Sequence, residues 1–99
     1  MADRKITWSP RAKLRLFDIY SFFNNRNKNK IYSLKLSKIF KAHVIRLKKL
    51  PEIGVETNRE NVRGLTVGDY IIYYKVEPYE IIILTVWDSR QNPEDLKIY

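Results

Sequence analysis

The chain has 99 residues, of which 44% are hydrophobic and 30% charged, and its formal net charge is +8. This length and composition predict one soluble globular domain over residues 1–99 and argue against a disordered chain. The sequence has no cysteine, which excludes disulfides, thiolate metal ligands and thiol nucleophiles.

The first predicted elements are a short strand and a long helix. Lys5–Trp8 has the composition of a strand, and Ser9-Pro10 follows it as a helix start. Serine can cap a helix, and proline at the first helical position loses no needed N–H. The helix is predicted to run to about Asn24. Its apolar face, at helical spacing, comprises Ala12, Leu16, Ile19 or Tyr20, and Phe23, widened by Phe17 and Phe22.

A polar bend over residues 24–30 separates this helix from a second one, predicted from Ile31 to Leu50 and stopped by Pro51. Lysines and arginines lie on the arc opposite its apolar stripe, so the two helices should form an antiparallel hairpin with a basic outer surface. His43 lies within the stripe and is the only histidine, which favours a core residue over a catalytic base. The predicted stripe comprises Tyr32, Leu36, Ile39, Phe40, His43, Leu47 and Leu50.

The last third of the chain predicts a sheet. Three strand-like runs, Asn61–Val67, Tyr70–Val76 and Ile81–Trp87, are separated by short turns at residues 68–69 and 77–79. Such short turns predict a three-stranded antiparallel meander. The fold class is therefore α+β: an N-terminal strand that joins the meander, and a helical hairpin whose two helices cover one sheet face.

Charge is divided unevenly along the chain. Residues 1–50 hold 14 Lys and Arg against 2 Asp and Glu, a net +12, whereas residues 51–99 hold 5 against 9, a net −4. A basic half of this kind predicts an anionic partner, either nucleic acid or an acidic protein segment. The alternative is a solvated basic helix face that serves solubility alone.

A specific pattern follows in the C-terminal third: R-x-L-x-x-G-x-Y-x-I-x-Y, and later I-x-I-L-x-V-x-D-x-R-Q-N-P. Together with the element order, it resembles the RelE/ParE family of bacterial toxins. The resemblance spans nearly the full length, but the N-terminal half matches only in architecture and in its Trp8–Ala12 opening. The residues that carry the pattern are Arg63, Leu65, Gly68, Tyr70, Ile72, Tyr74, Ile81, Ile83, Leu84, Val86, Asp88 and Arg90 to Pro93.

This resemblance implies a toxin of a type II toxin–antitoxin system, a class associated with growth arrest and plasmid stabilisation. It implies a cognate antitoxin whose acidic segment folds onto the toxin, which suits the basic first half. No run of the sequence has the length of a signal-peptide core or of a membrane span. We therefore expect a cytoplasmic protein with no membrane partner.

Two mechanisms occur in this family, and the residues favour one. RelE-like members cleave ribosome-bound mRNA without metal, using lysines and arginines near the sheet and a C-terminal tyrosine. In those nucleases an arginine commonly follows the tyrosine that opens the strand, but here Ile71 follows Tyr70. No tyrosine comes shortly after Arg90, since Tyr99 is the last residue. The sequence therefore favours ParE-like inhibition of DNA gyrase, with RelE-like mRNA cleavage as the alternative.

The catalytic residues of a nuclease stay unidentified, with Arg63 and Arg90 as candidates that could supply charge but not act as a base. The predicted target-binding residues are Arg63, Tyr73, Trp87, Asp88 and Arg90, and neither a metal nor a cofactor is expected. Each of these target-binding residues also has a structural interpretation. The arginines could pair with nearby carboxylates, the aromatic residues could belong to the core, and residues 88–93 could be a capped turn. A third function, ranked last, is a nucleic-acid-binding module that uses the Lys-rich second helix.

Overall fold

A computed structural model describes residues 4–98. Its centre is a five-stranded sheet in the order β1-β5-β4-β3-β2, in which β1 runs parallel to β5 and the other neighbours are antiparallel. The predicted N-terminal strand and meander are confirmed. The strands are β1 (Lys5–Trp8), β2 (Val55–Glu56), β3 (Val62–Val67), β4 (Tyr70–Val76) and β5 (Glu80–Asp88).

Three details of the sheet differ from the sequence prediction. The last strand, β5, extends one residue beyond the predicted Ile81–Trp87 at each end. The two-residue β2 lies in a segment predicted as a polar connection, and it pairs with Arg63 and Gly64 of β3. The third strand also begins one residue later than predicted, because Asn61 adopts a left-handed conformation with φ of 61°. Asparagine tolerates that conformation better than most residues, but a strand cannot continue through it.

The first helix, α1 (Pro10–Asn27), begins as predicted and ends three residues beyond Asn24. The Ser9 hydroxyl oxygen accepts from the Ala12 N–H at 3.1 Å and donates to the Leu84 carbonyl at 2.9 Å. One side chain thus caps the helix and ties its start to the middle of β5. Lys28 closes the helix in a left-handed conformation, with φ of 59°.

The second helix, α2 (Ile31–Ile45), is shorter than predicted, and a 3-10 turn over Arg46–Lys48 follows it. The predicted end at Leu50 was wrong. Pro51 disfavours helical backbone at the residue before it, and last helical turns commonly tighten to 3-10 geometry. The Lys49 N–H accordingly donates to the Arg46 carbonyl at 3.3 Å.

The main core lies between the helical hairpin and one face of the sheet. Ala12 of α1 and Phe40 of α2 meet strand residues such as Ile72, Ile81 and Ile83, and all five are fully buried. Both helices therefore cover the same face, as predicted. Within residues 4–98, neither helix is long and apolar enough to cross a membrane.

The predicted apolar stripes are partly wrong. Ser33 and Val44 of α2 are buried, although neither was predicted to be. Ser33 donates to Asn24 of α1, so a small polar residue fills the contact between the helices without leaving a buried hydroxyl unsatisfied. Hydrophobic periodicity cannot detect such a residue. Five residues predicted to face the core are instead exposed: Phe17 (67%), Phe22 (57%), Tyr32 (41%), Ile39 (37%) and Leu50 (51%).

A second, smaller core covers part of the opposite sheet face. Val62 of β3, Leu84 of β5 and Ile98 of the C-terminal segment are buried together. Leu84 lies at a register shift, because Tyr73 pairs with Thr85 while Tyr74 pairs with Ile83. This bulge places an extra residue on β5, and Leu84 contributes its side chain to the second core.

Candidate functional site

The turn over residues 88–93, here called the Arg90 loop, begins where β5 ends. A carboxylate holds its arginine. Asp88 accepts three hydrogen bonds from Arg90: from the backbone N–H at 2.9 Å, from Nε at 3.0 Å and from Nη2 at 2.8 Å. The Arg90 Nη1 also lies 3.8 Å from the Asp69 carboxylate. The Arg90 side chain is nevertheless 62% exposed, so the pairing orients the guanidinium without covering it.

This pairing shifts the ionisation of both partners. The hydrogen bond from the Arg90 guanidinium lowers the pKa of Asp88 below its usual range, although partial burial opposes the shift. Asp88 in turn raises the pKa of Arg90. Both groups are therefore charged at neutral pH. A carboxylate with a lowered pKa is a poor proton acceptor.

The backbone of the loop is fixed by local hydrogen bonds. Both the N–H and the hydroxyl of Ser89 donate to the Asp69 carbonyl at 2.8 Å. Asn92 then caps a short 3-10 turn by accepting from the Glu94 N–H at 3.1 Å. The loop is thus a capped turn, which was the structural alternative considered for residues 88–93, and it keeps Arg90 at a defined position on the sheet end.

Beside the loop, a groove of about 280 Å³ opens between α1 and the ends of β4 and β5. The exposed Phe22 and the half-buried Phe23 line it on the helix side, in edge-to-face contact with centroids 5.1 Å apart. Tyr70 lines the sheet side, and burial raises the pKa of its hydroxyl. The groove therefore has an aromatic lining. Its charged edges carry two arginines, Arg15 and Arg90, and two aspartates, Asp18 and Asp88.

Arg63, the second predicted arginine, lies elsewhere. It pairs across the sheet with Tyr74, whereas Asp88 pairs with Tyr70. Four strand residues correspond to about 13 Å. Arg63 donates to the carbonyls of Gly54 at 2.8 Å and Glu52 at 3.3 Å, and to the Glu56 carboxylate at 3.1 Å. These contacts hold the segment between α2 and β3.

The other two predicted site residues lie on the sheet face that turns away from the helices. Tyr73 contacts the second core around Val62 and Leu84. Val86 belongs to the main core, and successive strand residues point to opposite sheet faces, so the Trp87 side chain points away from that core. Only 6% of the Trp87 surface is exposed. Trp87 nevertheless lines the groove together with Asp88 and Arg90. Of the five predicted residues, Arg63 and Tyr73 lie apart from that group.

Several residues of the site were missed by the sequence analysis. Asp69 was read only as a turn residue, and Phe22 only as core. The pairing of Tyr70 with Asp88 contains the missing signal for Asp69, since antiparallel register then places Asp69 beside Ser89. No comparable signal existed for Phe22, because its exposure depends on how α1 is rotated against the sheet.

His43 of α2 is not among the residues that line the groove. Within residues 4–98, no cluster of His, Asp or Glu side chains is arranged to hold a metal ion. What the site presents is an oriented guanidinium beside an aromatic groove, which suits recognition of a protein surface.

Comparisons with known proteins identify the family to which the chain belongs. The family model described as "ParE toxin of type II toxin-antitoxin system, parDE" matches residues 6–93. No curated protein sequence matches the chain. Among solved structures, ten chains match.

One of them, from a structure titled "Chromosomal ParDE TA system from P. aeruginosa", has 21% sequence identity and a TM-score of 0.73, and the match covers 86% of this chain and 95% of that chain. At that identity the likeness shows the fold. The family model, which matches from β1 to the Arg90 loop, shows more: this chain is a member of the ParE family, the toxins of type II toxin–antitoxin systems.

Proposed function

We propose that this toxin arrests growth by binding DNA gyrase, and that it does so through Arg90 and the aromatic groove beside it. The observation that supports this most is the pairing of Arg90 with Asp88 and Asp69. It leaves an exposed, oriented guanidinium next to apolar surface. Arginine and aromatic residues are the types that dominate binding energy in protein interfaces.

Cleavage of an RNA phosphodiester makes a demand that this site does not meet. It needs a base for the 2′-hydroxyl, an acid for the leaving oxygen, and uncompensated cations for the phosphorane. Asp88 carries a lowered pKa and is occupied by Arg90. Arg90 itself is compensated by two carboxylates. These contacts favour a non-enzymatic gyrase inhibitor over a RelE-like mRNA nuclease.

The two mechanisms separate in purified systems. The toxin is added to DNA gyrase on relaxed plasmid, with ATP, and separately to a reconstituted translation reaction in which mRNA is mapped by primer extension. We expect loss of supercoiling in the first reaction and intact mRNA in the second. Ribosome-dependent cleavage with unaffected supercoiling would establish the nuclease instead.

A cognate antitoxin neutralises the toxin in this proposal, as family membership implies. Its bound segment should be acidic and should cover apolar surface between the hairpin and the sheet, where the groove is lined by Phe22, Phe23 and Tyr70. Residues 1–50, with a net +12, would speed its approach. The association rate of toxin and antitoxin should therefore fall steeply with salt in stopped-flow measurements.

The Arg90 loop provides the control for antitoxin binding. If Arg90→Ala abolishes gyrase inhibition but leaves the antitoxin affinity nearly unchanged, target and antitoxin use separable contacts. If the variant loses both, the two partners share Arg90. If the isolated toxin neither arrests growth nor captures the protein encoded beside it, the proposal fails.

A further inference from the structure

A second groove, here called the β1 groove, opens at the edge of the sheet beside the end of α2, and its volume is about 600 Å³. It lies where β1 pairs with the start of β5, whereas the Arg90 loop follows the end of β5. The nine residues of β5 between these two places span about 27 Å. The charged and aromatic residues that line the β1 groove are Arg4, Lys5, Lys41, Lys48, Trp8 and Tyr79.

The charge of the β1 groove is of one sign. Its lining holds four cations and no carboxylate, and the ion pairs formed within residues 4–98 involve none of these four side chains. Of the two glutamates near Tyr79 in the chain, Glu77 pairs with Lys75 at 3.3 Å. The carboxylate of the other, Glu80, accepts from the Thr7 hydroxyl at 2.8 Å. Cations that line a concave surface concentrate positive potential and attract an anionic ligand.

Two aromatic residues accompany the cations. Trp8 ends β1, is half-buried and packs against the main core. Tyr79 lies in the turn between β4 and β5 and is 87% exposed. The aromatic pairs formed within residues 4–98 include neither ring. Cations and aromatic side chains that line one groove are the combination by which proteins hold single-stranded nucleic acid, because every base offers a face for stacking.

The open edge of β1 adds backbone donors to the groove. The N–H groups of Lys5 and Ser9 each donate to a backbone carbonyl on the β5 side at 3.0 Å. Because N–H groups alternate in direction along a strand, those of Ile6 and Trp8 point toward the open edge, and both residues line the groove. The Arg4 Nε donates to a carbonyl of the β4–β5 turn at 2.8 Å, and its two terminal amino groups form no hydrogen bond within residues 4–98. Backbone N–H and guanidinium groups are common donors to phosphate oxygens.

We propose that the β1 groove binds single-stranded nucleic acid. The phosphates would contact Lys41 and Lys48 on the helix side and Arg4 on the strand side, and the bases would stack on Tyr79 and Trp8. The basic first half of the chain would strengthen the attraction at longer range. Because stacking and phosphate contacts are common to all bases, the groove should show little preference for base sequence.

Other occupants fit the β1 groove less well. Duplex nucleic acid would offer phosphates to Lys41 and Lys48, but its bases stay stacked on one another and cannot reach Tyr79. A lipid surface would match the charge, but it is flat, whereas these cations line a concave surface. An acidic polypeptide would match the charge without using the ring of Tyr79. The β1 groove shares no lining residue with the groove beside Arg90, so this proposal stands independently of the gyrase proposal.

The test uses the whole toxin and a fluorescently labelled oligothymidine of about 12 nucleotides, with binding followed by anisotropy. Each phosphate contact in a single strand contributes about 0.7 to the slope of log affinity against log salt concentration, so the four cations predict a slope of about −2.8. Unlabelled oligothymidine should displace the probe at a concentration at least about fivefold lower than that needed of a duplex of equal length or of polyglutamate of equal charge.

Variants of the toxin locate the binding. Lys41→Gln/Lys48→Gln should reduce the salt slope by about 1.4 and weaken binding. Lys13→Gln/Lys35→Gln makes the same change in net charge at two exposed helix positions outside the groove, and should leave the slope nearly unchanged. Tyr79→Ser removes an exposed ring without changing charge, and should weaken oligothymidine binding at least about fivefold with the slope unchanged. Circular dichroism checks that each variant is folded.

Three results would overturn the proposal. One is failure of oligothymidine to bind at toxin concentrations up to about 1 mM. Another is an equal effect of Lys13→Gln/Lys35→Gln and Lys41→Gln/Lys48→Gln on the salt slope, which would reduce the binding to net charge. The third is unchanged oligothymidine binding by Tyr79→Ser, or equal displacement of the probe by duplex, polyglutamate or phosphatidylserine vesicles at matched charge, because the groove would then be a site for any anionic surface.

Discussion

The two arginines singled out by the sequence, Arg63 and Arg90, each pair with a carboxylate, yet the structure gives them different surroundings. The Arg63 side chain is 21% exposed and also donates to two backbone carbonyls. The Arg90 side chain is 62% exposed, and its partners within residues 4–98 are carboxylates. Backbone acceptors tie an arginine to the fold, whereas surface carboxylates orient it and leave it accessible. An ion pair alone thus does not tell a structural arginine from a functional one.

The region around Arg63 is built tightly, and Gly54→Ala should reveal this with the largest loss of stability. A Cβ on Gly54 would lie 2.6 Å from the Tyr74 hydroxyl oxygen and 2.8 Å from its ring. Tyr74 is fully buried, so the ring has little room to move. We expect a loss of about 3 kcal/mol in urea unfolding. Gly68→Ala is a poor control because of its positive φ; Lys35→Ala, at an exposed position of α2, serves better. A loss below about 0.5 kcal/mol would show that the segment is loosely held.

Arg63→Met should have the next largest effect on stability. The methionine keeps the apolar stem but leaves the Gly54 carbonyl without its 2.8 Å donor. Losing this charge-assisted bond in a partly buried setting should cost about 2 kcal/mol in the same unfolding measurement. Glu56→Gln, which affects only the exposed partner of Arg63, is the matched control and should change the free energy of unfolding by less than about 0.5 kcal/mol. Equal effects of the two variants would mean that the ion pair, not the carbonyl contact, holds Arg63.

Tyr74→Phe should destabilise the same region by a smaller amount. The hydroxyl donates to the Pro51 carbonyl at 2.7 Å and accepts from the Gly54 N–H at 2.9 Å. Without it, both backbone groups lose a partner while the ring stays in the core. We expect about 1 to 2 kcal/mol, checked by thermal unfolding. Tyr73→Phe, on the opposite sheet face, should be nearly neutral, since no hydrogen bond of its hydroxyl is found within residues 4–98. Equal losses would contradict the distinction between the two tyrosines.

Around Arg90, the main expected effect is on the ionisation of Asp88. The pKa of Asp88 is lowered chiefly by its hydrogen bond from Arg90. Because its folded-state pKa lies below the unfolded value of about 3.9, the contribution to stability is present above that pH and is lost as pH falls through the folded-state value. NMR titration of the carboxyl carbon should show Arg90→Ala returning the pKa of Asp88 toward its usual range. An unchanged pKa would mean that Arg90 does not hold this carboxylate in solution.

The sequence predicted the elements better than it predicted the site. Strand periodicity and Ser9-Pro10 were sufficient for β1, α1 and the meander because burial on a sheet face and helix capping are local signals. The rotation of each helix about its axis is not determined by a local sequence signal. Ser33 is buried and Phe22 is exposed because α1 and α2 pack against each other and against the sheet. Arg90 could be found from the family pattern, but its partners could not, since Asp69 reaches it only through the pairing of β4 with β5.

The most direct test of the account compares Arg90→Ala with Arg63→Met in a purified gyrase supercoiling reaction, at equal concentrations of folded toxin. Arg90→Ala should lower the free energy of unfolding only slightly, through loss of its exposed pairing with Asp88, and should lose gyrase inhibition. Arg63→Met should unfold more easily and inhibit as strongly as the original chain. The account would be contradicted if Arg90→Ala inhibited gyrase fully, or if folded Arg63→Met were the variant that failed.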